Sequence, residues 1–497
     1  MKVLLDTNII IHREANRVIN QDIGILFNWL DKLRYTKCVH PLTVDELNRN
    51  INSDTVKTMQ VKLSNYQVLQ TVAPLHDNVK QVGSTIDTEP NDHDDTKLLN
   101  EVFCDRVDIL ISEDKKVHTK ATMLGISDRV FRIDSFLEKV TAENPDFVNY
   151  NVLAVKRDYF GNINLDDEFF DSFRDDYVGF NKWYNGKAGN NDKAYICYEA
   201  DVLKAFLFLK VENENEIYSD INPTFIKKKR LKIGTFKVIS NGLRIGERFL
   251  KIVFDNARQH RVDEIYVTIF NKRPEQLRLI SLIEDYGFKY HGEKTSISGN
   301  EKVYVRDFSK NADEQHPKLT FPWLSKTSDV YIIPIKPKYH TYLFPDSILR
   351  TESADDFIEN QPHRNAISKS YISHSFNRNL KTGDIIVFYR SGGIYKGVAT
   401  TIGIVENVVT NLKDLNELIQ ICRKRTVLSE QELKEYWEWK PNNRPFVINF
   451  LYAFSFVKRI TLKQMLDEKI LPGMDSVKTI TKMKRDSFVK LITLSGI

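Results

Sequence analysis

Nine residues near the start of the chain, Val3-Leu4-Leu5-Asp6-Thr7-Asn8-Ile9-Ile10-Ile11, set one acid between two aliphatic blocks. A run this short and this rich in branched aliphatics is expected as a strand covered on both faces, the situation of a central strand in a parallel sheet. In open α/β sheets the ligand crevice lies at the carboxyl ends of the strands, so Asp6 is expected at a strand end facing a cleft. The competing reading of the same residue, a cap for the following helix, needs no ligand at all.

Three later stretches bear on that choice: Thr43-Val44-Asp45-Glu46-Leu47, Asn91-Asp92-His93-Asp94-Asp95-Thr96-Lys97-Leu98-Leu99, and Val107-Asp108-Ile109-Leu110-Ile111-Ser112-Glu113-Asp114. Each places an acid beside an apolar element. Glu46 falls at what reads as a short helix start, Asp95 opens a helix of the form Asp-x-x-Leu-Leu, and Asp114 follows a second buried strand, Ile109 to Ile111. Acid-Thr-Asn after a first strand and Ser-x-Asp after a later one, in this order, resemble the PIN nuclease family over residues 1 to about 145. The resemblance implies an α/β domain with a parallel sheet. In it Asp6, Glu46, Asp95 and Asp114 are the catalytic metal-binding acids, with Asp92 and Asp94 as rivals for the third place, and Thr7, Asn8 and Ser112 orient the carboxylates.

The chemistry can be stated without the family. Crowded carboxylates repel one another unless a divalent ion neutralises them, and hard oxygen ligands without His or Cys favour Mg2+ or Mn2+. Such an ion activates water against a phosphodiester, and no covalent nucleophile is needed. A phosphodiester hydrolase follows, and the resemblance to the PIN family implies a metal-dependent endoribonuclease.

A chain of 497 residues allows about three domains. Cys38, Cys104, Cys197 and Cys422 fall far apart, with neither zinc spacing nor a disulfide pattern, so reduced thiols and a cytoplasmic location are expected. The acid inside the first apolar stretch argues against a signal peptide, and no long uncharged run suggests a membrane span. Residues 1–145 hold 18 Lys and Arg against 22 Asp and Glu, whereas 311–497 hold 27 against 20. An acidic catalytic part and a basic remainder suit a nuclease that grips RNA elsewhere, though an excess this size also serves plain solubility.

Beyond Ala142-Glu143-Asn144-Pro145 the pattern changes. An aromatic and acidic segment, Asp166 to Tyr184, precedes strands at Ala194–Tyr198 and Val202–Val211. The basic run Ile226 to Lys232 is expected as a solvated connection entering a strand rather than a nucleic-acid patch. After the strand Arg230–Ile239 comes Asn241-Gly242-Leu243-Arg244-Ile245-Gly246-Glu247, opening a helix that continues to His260. Strand, glycine turn and helix form an anion-binding arrangement, because amides at a helix start point at phosphate. A strand at Glu264–Ile269, a helix from about Pro274, Tyr286-Gly287-Phe288 and a last strand at Lys302–Phe308 complete an α+β order that resembles the GNAT acetyltransferase family over residues 150–310. The resemblance implies acetyl-CoA as cofactor, with its pyrophosphate held by the turn from Val238 through Asn241, Gly242, Leu243, Arg244, Ile245, Gly246 and Glu247. Two departures stand out: Arg244 replaces the middle glycine of the family's motif, and Ile283 stands where many members carry a tyrosine acid, with Tyr286 out of register.

A polar loop, Ser309 to Pro322, leads into the last part. Leu380-Lys381-Thr382-Gly383-Asp384 precedes a strand through Arg390, a second strand lies at Thr401–Glu406 and a third at Phe446–Phe456. This pattern resembles the PUA-like group that includes the ASCH and EVE domains, implying over 320–497 a mainly β barrel with helices that holds RNA or a modified base. His374 and Arg390 are the nucleic-acid contacts guessed on that basis.

The chain is therefore expected to be multidomain, an Mg2+- or Mn2+-dependent ribonuclease joined to an acetyl-CoA-binding module and an RNA-binding module, without a membrane partner. The alternative is an acyl-CoA-dependent N-acyltransferase acting on RNA or protein, with the PIN-like part binding without cutting.

Overall fold

The computed structural model describes residues 1–14, 21–48, 63, 66–143, 155–199, 202–239, 244–309, 311–347 and 362–497. These fall into two compact units, one up to residue 143 and the other from residue 155 on.

In the first unit, β1 (Lys2–Leu5), β2 (Thr36–Val39), β3 (Gln67–Val68), β4 (Ile109–Ile111) and β5 (Val130–Phe131) form a parallel sheet in the order β3-β2-β1-β4-β5. Val3, Leu4, Leu5, Leu110 and Ile111 are fully buried, as central parallel strands flanked on both faces require. The strand is shorter than the aliphatic run suggests. β2 and β4 offer partners only as far as Leu5, and the Asp6 carbonyl then accepts from the amides of Ile9 and Ile10. Ile9–Ile11 therefore belong to helix α1 (Thr7–Glu14), not to the strand. Two other positions also shift. Glu46 lies in the second half of α2 (Pro41–Asn48), and Asp95 sits inside α3 (Pro90–Phe103), which begins five residues earlier on Pro90.

The second unit holds two sheets. Strands β6 (Val155–Tyr159), β7 (Lys193–Glu199), β8 (Val202–Glu212), β9 (Ile221–Asn222), β10 (Arg230–Val238), β11 (Glu264–Ile269), β12 (Lys289–Ser296) and β13 (Gly299–Asp307) are ordered β6-β7-β8-β10-β11-β13-β12-β9. Only β10 and β11 run parallel. The basic run entering β10 is structural: Arg230 is buried, bound to Glu264 and stacked over Phe225, and the Lys229 amino group donates to the His260 carbonyl.

The other sheet contains β14 (Val330–Ile335), β15 (Ser368–Ser373), β16 (Ile385–Arg390), β17 (Val398–Val409), β18 (Phe446–Thr461) and β19 (Thr481–Met483), ordered β15-β18-β17-β16-β14-β19. Among the described residues β15 and β19 do not pair, so the expected closed barrel is an open six-stranded sheet. Its outer strands are linked by hydrogen bonds beyond the ladder, Ser375 to Thr479 and Asn377 to the Ile480 carbonyl. Along β16, Ile385, Val387 and Tyr389 face one core and Ile386 and Phe388 another, so the strand is buried on both faces.

The regions expected as separate domains at 150–310 and 320–497 share one hydrophobic core. Helix α6 (Ile245–His260, following α4, Lys115–Met123, and α5, Phe180–Gly189) is the reason. Phe249, Leu250, Val253, Phe254 and Ala257 are buried in that core. Its polar residues also reach the second sheet's region. Arg248 holds both oxygens of Asp346 at 2.6 and 2.7 Å, and the Lys251 amino group donates to the Ala453 carbonyl at 3.2 Å. None of the four cysteines forms a disulfide, and no described helix is long and apolar enough to cross a membrane.

Candidate functional site

At the carboxyl end of β1, the side chain of Asp6 is buried and accepts the Ser112 hydroxyl at 2.6 Å. Burial raises its pKa, while Ser112 and the backbone amides of Asn8 and Thr7 oppose the rise and Asp114 adds to it. Ser112 also accepts the amide of Asp114, whose carboxylate caps α4 by accepting from Lys116 and Val117 at 2.6 and 3.1 Å. One hydroxyl thus ties together the two strand ends flanking the point where the strand order reverses. Asp95 approaches from α3. Burial, followed by repulsion from Asp6 and Asp114, pushes its carboxyl up to about 7.

The other expected residues are placed differently. Glu46 is exposed on α2, and the Asn8 side chain faces solvent while Thr7 bonds Thr43. Asp92 forms the capping box of α3, accepting from the amides of Thr88 and Glu89 and from Lys116, which holds its carboxyl well below the usual range. Asp94 pairs with Lys97 on the outside of α3. Sequence reading missed Lys120. It is fully buried and held by Asp87, Thr96 and the Asp92 carbonyl, where it lowers the Asp95 pKa. Among the described residues no three His, Cys, Asp or Glu side chains form a group that could hold a metal ion. Asp6, Asp95 and Asp114 have the right donor chemistry for Mg2+ or Mn2+, yet they do not form a ready coordination sphere.

In the second unit the parallel pairing of β10 with β11 runs from Arg230–Glu264 to Ile233–Val267 and then stops. β10 continues to Val238 along β8 and β11 to Ile269 along β13, so the two strands part. The register of β10 against β8 also shifts between Ile233 and Thr235. Gly234 occupies that bulge because a Cβ there would lie 2.8 Å from the Phe208 ring. A cavity of about 670 Å³ fills the opening between the strands, lined by Ile233–Val238 on one side and Val267–Ile269 on the other. Gly246 at the start of α6 and Leu279 and Leu282 of α7 (Pro274–Asp285) also line it.

Of the expected cofactor turn, Asn241, Gly242 and Leu243 lie outside the described residues. Val238 and Gly246 line the cavity and Arg244 takes a left-handed backbone, φ 55°. Ile245 points instead into the core. The Glu247 carboxylate is occupied by Arg244 and by the amides of Ile367 and Ser368. Ile283 is fully buried, and Tyr286 packs in the core against Phe254 and Phe321 without lining the cavity.

The polar groups in this cavity were not singled out in the sequence. Glu301, only 2% exposed, accepts from Tyr177 at 2.8 Å, Thr268 at 3.0 Å and Lys294 at 3.4 Å. Burial, then Glu301, pushes the Tyr177 phenol far above its usual range. These four residues come from a loop and three strands, and no local pattern brings them together.

In the last region both ring nitrogens of His374 lie 2.8 Å from backbone carbonyls, those of Asn443 and Tyr436, and its ring packs against Trp439. Arg390 is buried at the end of β16. Both side chains take part in the packing of the fold.

No family model matches the chain, and no curated protein matches it. Among solved structures the chain is similar to Arabidopsis thaliana Naa50 in complex with the bisubstrate analogue CoA-Ac-MVNAL, 15% identical over 31% of this chain and 100% of that one, with a TM-score of 0.22. It is similar to a GNAT-family acetyltransferase from Streptococcus agalactiae, 13% identical over 32% and 99%, with a TM-score of 0.23. It is also similar to the Bacillus subtilis N-acetyltransferase YlbP in complex with coenzyme A, 13% identical over 31% and 96%, with a TM-score of 0.20. These likenesses reach about a third of the chain.

Proposed function

We propose that the chain is an acyl-CoA-dependent N-acyltransferase whose cofactor lies between β10 and β11. The observation that carries this reading is the parting of the parallel pair β10–β11 around a cavity of about 670 Å³. Where parallel strands separate, the backbone amides and carbonyls lining the gap lose their ladder partners, so an extended amide-bearing arm can pair with them as an added strand. The pantetheine arm of acyl-CoA has that chemistry. Gly246 and the start of α6 stand at the end of β10 where the phosphates would lie. Bound acyl-CoA supplies a thioester-activated acyl group. Glu301 is the carboxylate assigned to take a proton from an attacking amine, and Tyr177, Thr268 and Lys294 hold it in position. The acceptor amine, on RNA, protein or a small molecule, enters beside Tyr177.

Isothermal titration of the full chain with acetyl-CoA tests the reading. A 1:1 binding isotherm that Gly246→Asp abolishes is expected, since the added carboxylate both fills the gap beside Leu282 and repels phosphate. No heat with any acyl-CoA overturns it.

A second reading rests on the first unit: metal-dependent cleavage of RNA by Asp6, Asp95 and Asp114, with the last region helping to bind the strand. Its support is the Asp95 carboxyl, which burial first and then repulsion from Asp6 and Asp114 push up to about 7, and whose ionised form a bound Mg2+ or Mn2+ would stabilise. Binding would have to draw the three acids closer. Cleavage of labelled RNA that requires Mn2+, stops with chelator and is lost in Asp6→Asn would establish it, and metal-independent or absent cleavage would sink it.

A further inference from the structure

Lys232 lies at the inner end of the cavity, where β10 and β11 still pair, directly across from Tyr266 on one side and Lys210 on the other. Its two basic neighbours have carboxylate partners of their own: Lys210 binds Glu212 and Glu216, each at 3.1 Å, and Lys294 binds Glu301 at 3.4 Å. Lys232 has none among the described residues, and its amino group lies 5.6 Å over the Tyr266 ring. Of the charged residues lining the cavity six are basic (Lys187, Lys210, Lys232, Lys237, Arg278 and Lys294) and three acidic (Asp176, Glu275 and Glu301). Burial depresses the Lys232 pKa, with Lys294 and Lys210 adding to the effect and Glu212 and Glu301 opposing it, so an anion brought to this amine would be stabilised and would restore its charge.

The cofactor's phosphates do not account for this basic residue. They would lie toward Val238 and Gly246, six strand residues or about 20 Å from Lys232. The inner end faces the reacting groups instead. Building on the acyltransferase reading, we propose that Lys232 binds a carboxylate, so that the substrate pair carries an acidic group beyond the thioester and the amine. That carboxylate belongs either to the acyl chain, as in a dicarboxylic acyl-CoA, or to the acceptor, as in an amino acid.

Two arms of one experiment separate these sources. The full chain is titrated with acetyl-CoA and with succinyl-CoA, and thiol release from acetyl-CoA is followed with glutamate and with glutamate diamide as acceptors. One arm is expected to favour its carboxylate-bearing member by about tenfold or more, the scale of a charge-assisted hydrogen bond. Lys232→Met should bring that ratio to about one, and Lys232→Arg, which keeps the charge and controls for folding, should retain most of it. Acyl-CoA binding with no preference in either arm, or a preference that survives Lys232→Met, overturns the proposal while leaving the acyltransferase reading standing. No binding of any acyl-CoA overturns both.

Discussion

Two groups of acids, one in each unit, are held in opposite ways. In the first unit Asp6, Asp95 and Asp114 converge from two strand ends and a helix, and burial, with repulsion from the neighbouring acids added to it, raises Asp6 and Asp95. In the second unit Glu301 and Asp346 arrive with their partners. Glu301 accepts from a phenol, a hydroxyl and an amine, and Asp346 is clasped by both ends of the Arg248 guanidinium. Burial alone would raise the Asp346 carboxyl, yet Arg248, with Lys251 and the Tyr452 hydroxyl, brings it far below its usual range. Removing a compensated acid should therefore cost function or stability, while removing an uncompensated one should stabilise the apoprotein. That difference in sign is measurable.

The largest effect is expected in the cleft. Glu301→Gln preserves the shape and most of the hydrogen bonding but cannot take a proton, so kcat for acyl transfer should fall by about 10²- to 10⁴-fold with little change in acetyl-CoA affinity. An unchanged kcat would remove Glu301 from the chemistry and leave it a structural acid.

Next comes the clasp on α6. Asp346→Ala strands a guanidinium that is only 12% exposed, and breaking such a pair costs about 3 kcal/mol. Chemical denaturation should show the second unit weakened by that order. Because α6 begins at the cavity, acetyl-CoA should bind less tightly as well. A loss of stability that leaves cofactor affinity untouched would separate the clasp from the site.

The smallest effect has the opposite sign. The Asp95 carboxyl titrates near 7 when folded and near 4 when unfolded, so between those values the folded chain holds a proton that the unfolded chain has lost. Stability of the first unit therefore falls as pH rises from about 4 to about 7 and stays low above that. Asp95→Asn has no charge to bury, and it should raise the melting temperature of this unit at pH 8, by the equivalent of about 1 kcal/mol after allowance for partial solvation, but not at pH 4. Mn2+ should produce a similar gain at pH 8 in the unsubstituted protein alone. A pH-independent effect of the substitution would show that the three acids do not interact.

Much of the local structure was legible in the residues themselves. The aliphatic runs at Val3–Leu5 and Ile109–Ile111 are buried parallel strands, and Asp6 and Asp114 stand at their ends, because an apolar run bounded by polar residues has few other ways to satisfy its backbone. The strand, helix, strand and helix from β10 to α7 could likewise be read in order, with boundaries near those observed, whereas β12 was not foreseen. Roles were harder to read. Asp92 looked like Asp95 in the sequence, and only the capping geometry of α3 distinguishes a helix cap from a member of the acid cluster.

The sequence by itself determined where strands and helices form and which acids end them, since those depend on neighbours a few residues apart. Tertiary structure alone decided the rest. The meeting of Tyr177 with Glu301, 124 positions away, follows from strand order rather than from any local pattern. The shared core around α6 arises because a helix amphipathic toward one sheet also carries polar residues matched to another, and that match exists only once both sheets are in place. The opening between β10 and β11 is likewise a matter of which partner each strand follows, β8 or β13, after the shared register ends.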